Sequence, residues 1–152
     1  MPWPDPPEGL IFPPFAYIPG KNSRHPENFF EDIKASVTRD ICPSDLQDTA
    51  AFKAGLAYLD AGYFWECHEV LEAVWMRTED PSPEREMVQA LIQLANAKLK
   101  LLMDKPRAAL RLCDMVVAHL ARCHPRDGVL GLGIDCVARR TEIARTDAIR
   151  AL

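Results

Sequence analysis

From Pro43 to the end of the chain, apolar residues recur three and four positions apart, and no run alternates apolar and polar residues as a half-buried strand does. This period predicts helices. The first spans about 44–61, with Ser44 as N-cap, Gly62 as stop, and Ala51, Phe52, Leu56 and Leu59 turned inward. A second follows at about 63–77. After the turn Glu79-Asp80-Pro81, Ser82 caps a third helix with Pro83 in its first turn, running to about Met103. Val88, Leu91, Ile92, Ala95, Leu99 and Leu102 make this helix apolar over most of its circumference, so it is expected at the centre. Asp104 is the expected cap of a fourth helix to about Arg122, which turns Ala109, Cys113, Val116, Val117 and Leu120 inward. A loop bearing Pro and Gly leads to a last helix from about Gly133 to Arg150. Short connections make consecutive helices antiparallel neighbours. The expected fold is therefore all-α: a single-domain antiparallel bundle of about five helices over residues 44–152.

Residues 1–43 break the pattern. Nine of the thirteen prolines lie before residue 45, and each removes a backbone donor and biases its predecessor away from helix. The segment reads as an extended proline-rich arm. It also carries Phe12, Phe15, Tyr17 and Ile18, more apolar surface than a solvated linker presents, so it is expected to lie either against the helical body or against a neighbouring subunit, the second case giving a homo-oligomer through the arm. Within it Pro26 can open a short helix that places Phe30, Ile33 and Val37 near one face.

Composition narrows the setting. With 152 residues and 48% hydrophobic positions, one sizeable core is affordable in length and material. A net charge of −4 with scattered Lys and Arg offers no stripe for phosphate backbones or anionic lipid, so nucleic acid is not an expected partner. The longest apolar runs are too short to span a bilayer and the N-terminus has no signal-like pattern, so neither membrane nor export is expected. The five cysteines are odd in number and form no C-x-x-C pair. They suit reduced thiols in the cytoplasm.

Candidate chemistry sits in the second helix. At about 100° per residue, Phe64, His68, Glu72 and Trp75 share one stripe, with Cys67, Leu71 and Val74 on one side and Trp65 and Met76 on the other. An imidazole and a carboxylate so flanked are expected to be partly buried and to need partners. The third helix offers them, because Gln89, Gln93, Asn96 and Lys100 form a narrow polar stripe on an otherwise apolar helix. Facing stripes would make an internal polar seam; the alternative is that the Gln/Asn stripe faces water.

His68 and Glu72, at i and i+4, can reach one divalent ion, and Glu69 then occupies the position of a general base. A catalytic zinc ion needs a third protein ligand and an open position, however, and His25, His119 and His124 sit in no recognisable ligand spacing. Two readings stand: a metal-assisted hydrolase-like site with His68 and Glu72 as ligands and Glu69 as catalytic base, or a non-catalytic helical adaptor whose His/Glu/Gln cluster is a structural polar network. Glu69 points about 100° away from His68, toward the polar side of the helix.

The stretch from Asp60 to Trp75, with its F-x-x-x-H-E-x-x-E-x-x-W pattern, followed by Gln89-Ala90-Leu91-Ile92-Gln93, resembles the helical domain-of-unknown-function family 309, often labelled a predicted metal-dependent hydrolase. The resemblance covers roughly residues 48–112. The Gly-Leu-Gly-Ile-Asp run at 131–135 is similar to the Gly-Leu-Asp opening of that family's last helix, with Gly133-Ile134 as a departure. It implies a compact helical bundle with Phe64, His68, Glu69, Glu72, Trp75, Gln89 and Gln93 as the motif residues. The hydrolase label rests on the same H-E pattern, and no activity follows from it.

Overall fold

A computed structural model describes residues 3–152. Its elements are α1 (Glu31–Ala35), a 3-10 turn (Pro43–Asp48), α2 (Ala50–Ala61), α3 (Phe64–Trp75), α4 (Pro83–Leu102), α5 (Pro106–Ala121), a two-stranded ribbon of β1 (Gly128–Val129) and β2 (Leu132–Gly133), and α6 (Ile134–Arg150). The all-α fold is as the periodicity predicts.

Residue pairs between successive helices show that they run antiparallel. Gly55 of α2 faces Leu71 of α3 while Tyr58 meets Tyr63. His68 of α3 meets Asn96 of α4 while Trp75 meets Arg85. Along the next interface Glu86 meets His119 and the Pro83 carbonyl meets the Cys123 thiol. α4 is the central element: Met87, Val88, Ala90, Leu91, Leu94, Ala95 and Ala97 have no solvent exposure, so it is buried round most of its circumference. No helix among the described residues is long and apolar enough to cross a membrane.

The expected first helix is divided. Thr49 Oγ1 donates to the Leu46 carbonyl at 2.8 Å and accepts from the Phe52 N–H at 3.1 Å, so one hydroxyl closes the 3-10 turn and caps α2. That local bonding outcompetes a continuous helix, and Thr49 rather than Ser44 is the N-cap. Gly62 stops α2 as expected, in the left-handed conformation.

Asp104 is not the cap of α5. It lies in the left-handed region at φ 61 and ends α4, with the Asp104 N–H bonded to the Leu101 carbonyl and the Lys105 N–H to the Lys100 carbonyl. These are the two bonds of a Schellman turn, with Asp at the usual glycine position. Lys105 is kept out of helical geometry by Pro106, so α5 begins at the proline. In the arm, the short helix begins at Glu31 rather than Pro26; Phe30 and Val37, which flank it, are buried and Ile33 within it is partly buried. The ribbon was absent from the sequence expectations. It forms because Leu130 and Gly131 both take positive φ, giving a two-residue turn of the twist that hairpins require.

The arm lies on the helical body. The Trp3 indole N–H donates to the Leu56 carbonyl at 3.2 Å, and Arg140 of α6 stacks on the Trp3 ring at 3.7 Å. The Tyr58 hydroxyl donates to the Ile11 carbonyl at 3.0 Å, and the Tyr63 hydroxyl donates to that of Pro13 at 3.3 Å. The two tyrosines thus satisfy backbone carbonyls of an extended chain that has no ladder to join.

The close approach of α2 to α3 supplies a test. A Cβ on Gly55 would sit 2.5 Å from Leu71 Cδ2 and 2.6 Å from its Cγ. Gly55→Ala is expected to destabilise the protein by about 1–3 kcal/mol through overpacking, despite the better helix propensity of alanine. Urea denaturation checks this, and Leu71→Val in the same chain should recover part of the loss.

Candidate functional site

The twelve residues of α3 distribute their side chains among three neighbours. Cys67, Val70, Leu71 and Val74 enter the core with no exposure. Glu69 turns away from them and meets Lys34 of α1 at 3.1 Å, both partly exposed. The row Phe64, His68, Glu72 and Trp75 lies along α4, where the antiparallel register sets it against Lys98, Asn96 and Arg85.

The row is a surface seam rather than an internal one. The His68 side chain keeps 35% of its exposure and that of Glu72 keeps 55%, so the expectation of partial burial holds for His68 while Glu72 is exposed. A residue at the edge of a two-helix contact is covered on one side only, which the helical stripe alone does not reveal. His68 Nδ1 lies 3.0 Å from Asn96 Oδ1, an acceptor, so Nδ1 carries the proton and donates. The Asn96 amide in turn donates to Gln93 Oε1 at 3.2 Å. His68 Nε2 is left facing Glu72 Oε2 at 3.5 Å. Aromatic ends close the row: Arg85 stacks over Trp75 at 3.8 Å, and Lys98 stands 5.5 Å from the Phe64 ring centre.

Of the residues singled out from the sequence, His68, Glu72, Asn96 and Gln93 therefore converge, with Phe64 and Trp75 at the two ends. Gln89 is partly exposed on the same helix one turn before Gln93. Glu69 is not part of the convergence, being drawn toward Lys34.

As a metal centre the row offers an imidazole and a carboxylate. Among the described residues no group of three or more His, Cys, Asp or Glu side chains is placed to hold an ion. A resident hydrolytic ion requires three protein ligands and an open position. Among the described residues the row supplies two such donors, His68 and Glu72.

A second polar pair was missed in the sequence and is far more deeply placed. Glu66 has no exposure, and His25 of the arm lies with its Nε2 2.6 Å from Glu66 Oε2, its side chain 2% exposed. The Tyr17 N–H donates to the same oxygen at 2.8 Å. Glu66 Oε1 is buried without a hydrogen-bond partner among the described residues. Around the imidazole stand Phe15 at 4.8 Å, Phe29 at 5.6 Å, Phe30 at 5.9 Å and Trp65 at 6.2 Å between ring centres. Glu66 occupies the first turn of α3, where the helix dipole favours a carboxylate. A signal did exist: Glu66 shares its helical face with Val70 and Ala73, a core position for an acid, and the arm holds one histidine beside Phe29 and Phe30.

The pair also acts on its neighbours. Burial, then the charge of Glu66 and the presence of Tyr63, push the Tyr58 hydroxyl up to about 12. Burial, followed by Glu66, likewise raises the Cys67 thiol well above its ordinary range, which makes it an inert core residue.

Residues 52–112, from α2 into α5, match the model of a family described as a domain of unknown function (DUF309). The arm and α6 lie outside the match. No curated protein and no solved structure matches the chain.

His25→Ala leaves Glu66 buried with a single partner and is expected to destabilise the fold by about 3–5 kcal/mol, whereas His25→Leu combined with Glu66→Leu should cost less than the single change. Chemical denaturation of the three proteins decides it. Tyr58 gives a pH test: its folded pKa lies above the unfolded value of 10.0, so its contribution is full below about pH 10 and is lost as pH rises toward 12. Urea midpoints should fall across that window, and Tyr58→Phe should flatten the fall.

Proposed function

We propose that the chain is a non-catalytic interaction module whose α3–α4 seam, with His68 and Glu72 at its middle and Trp75 and Phe64 at its ends, recognises a polypeptide partner. The observation that carries this reading is the fixed orientation of His68: Nδ1 is committed to Asn96, and Nε2 is presented at a half-exposed surface beside Glu72. A hydrogen-bonding face held in place before binding loses little rotamer entropy on association. Trp and Arg, stacked here as Trp75 and Arg85, are the residue types that most often anchor protein interfaces.

The metal-assisted hydrolase-like reading, with Glu69 as base, has weaker support. Among the described residues the row supplies two donors where a catalytic zinc ion uses three, and Glu69 lies on another face of α3, paired with Lys34.

A photo-crosslinking residue placed at Glu72 is expected to give a discrete protein adduct in cells, and one at Arg107 on α5 is not. Combining the Glu72 probe with His68→Ala or Trp75→Ala should reduce the adduct at least tenfold. The His68 variant should lose no more than about 1 kcal/mol of stability, as suits a half-exposed side chain with one hydrogen bond. Equal adducts from both probe positions would sink the reading. Stoichiometric, stabilising Zn²⁺ or Mn²⁺ uptake by untagged protein that His68→Ala abolishes would favour the metal site instead.

A further inference from the structure

The arm and the helical body flank an open cleft of about 310 Å³ between Leu10 and Ile11 of the arm, Phe29 and Ile33, and Ala50 and Ala54 of α2. We propose that it is a binding site for a small amphipathic cation, a primary amine with a compact apolar body. The site is separate from the α3–α4 seam and stands or falls independently of it.

Three observations point to this ligand class. The space exists because α2 presents two alanines, Ala50 and Ala54, where larger side chains would fill it. The walls beside them, Leu10, Ile11, Phe29 and Ile33, are apolar, and Ile11 remains 71% exposed, so an apolar occupant would remove hydrophobic surface from water. Among the described residues, the only charged side chains lining the cleft are the carboxylates of Glu8 and Asp32.

Those two acids are also free to act. Some acids elsewhere on the surface are neutralised by cations, as Asp104 is by Lys21, Asp114 by Arg145 and Asp60 by Arg140. Neither Glu8 nor Asp32 forms an ion pair with any described residue. An apolar cavity whose rim carries unpaired negative charge and no positive charge discriminates by sign: it favours an ammonium, tolerates a neutral isostere weakly and repels an anion. At about 30 Å³ per water-sized group, the volume admits about ten non-hydrogen atoms, the size of an arylalkylamine.

Phenethylamine, 2-phenylethanol and 3-phenylpropanoate, titrated into the full-length protein and followed by amide chemical shifts, test this directly. The amine is expected to saturate, with shifts concentrated at Leu10, Phe29, Ile33 and Ala54. The alcohol should bind at least fivefold more weakly, and the carboxylate should not bind. Glu8→Gln with Asp32→Asn, both exposed positions, should lower the amine's affinity to that of the alcohol. Ala50→Leu, also at an exposed position, should abolish binding by filling the cleft. The proposal is overturned if the amine does not saturate, if amine and alcohol bind equally, if shifts map elsewhere, or if binding survives Ala50→Leu.

Discussion

Glu66 takes a carboxyl group to a place that solvent does not reach, and the partners that satisfy it come from the arm: the Tyr17 N–H and the His25 imidazole, both on Oε2. Burying such a group is unfavourable unless it is paired and hydrogen-bonded. The helical body therefore cannot be completed by its own residues alone. With the arm removed, the first turn of α3 would hold an acid on a core-facing position with neither partner. The arm's own problem is the converse, since an extended proline-rich chain has carbonyls without a ladder, and Tyr58 and Tyr63 of the body supply hydroxyl donors to two of them. Each part satisfies polar groups that the other leaves open. This mutual dependence, more than any apolar contact, makes the arm a structural element.

The same constraint organises α3. With Glu66 held by the arm, Cys67, Leu71 and Val74 face the core, Glu69 reaches Lys34, and His68 is left on the edge shared with α4. Gly55 sets how closely α2 can approach from behind, because the Leu71 side chain occupies the space a Cβ would need. The row from Phe64 to Trp75 is thus a consequence of how the other faces of the helix are spent: it is the strip that neither core, arm nor α1 covers.

Much of this was legible in the residues. The five long helices follow from spacing, and the stops at Gly62 and the cap at Ser82 follow from residue type. The pairing of the α3 row with Asn96 and Gln93 could be anticipated because two polar stripes on neighbouring antiparallel helices have few other places to go. What escaped has physical reasons. Thr49 divides a helix through a hydroxyl that both donates and accepts, an option that periodicity does not register. Asp104 looks like a cap because Asp often is one, yet a left-handed turn before Pro106 uses it to end α4. The Glu66–His25 pair joins residues 41 apart. Helical spacing can show that Glu66 faces inward but not which distant group meets it. The motif drew attention to the one histidine in a familiar spacing, His68, while the buried one lay in a segment with no period to read.

The contrast between the two histidines bears on what the seam can do. His25 is enclosed by aromatic rings and has its Nε2 committed to Glu66, so it is inaccessible to any ligand. His68 has the opposite arrangement: its inner nitrogen is fixed by Asn96 and its outer nitrogen is turned to the surface. Catalysis by an imidazole asks for a reacting group brought within hydrogen-bond reach in a site from which water can be excluded. The seam offers orientation without enclosure, since Glu72 is exposed and His68 partly so. Exclusion of water would have to come from whatever docks there. The recognition proposed above suits an oriented but open row, since a partner laid across it would supply both the missing cover and the complementary hydrogen bonds.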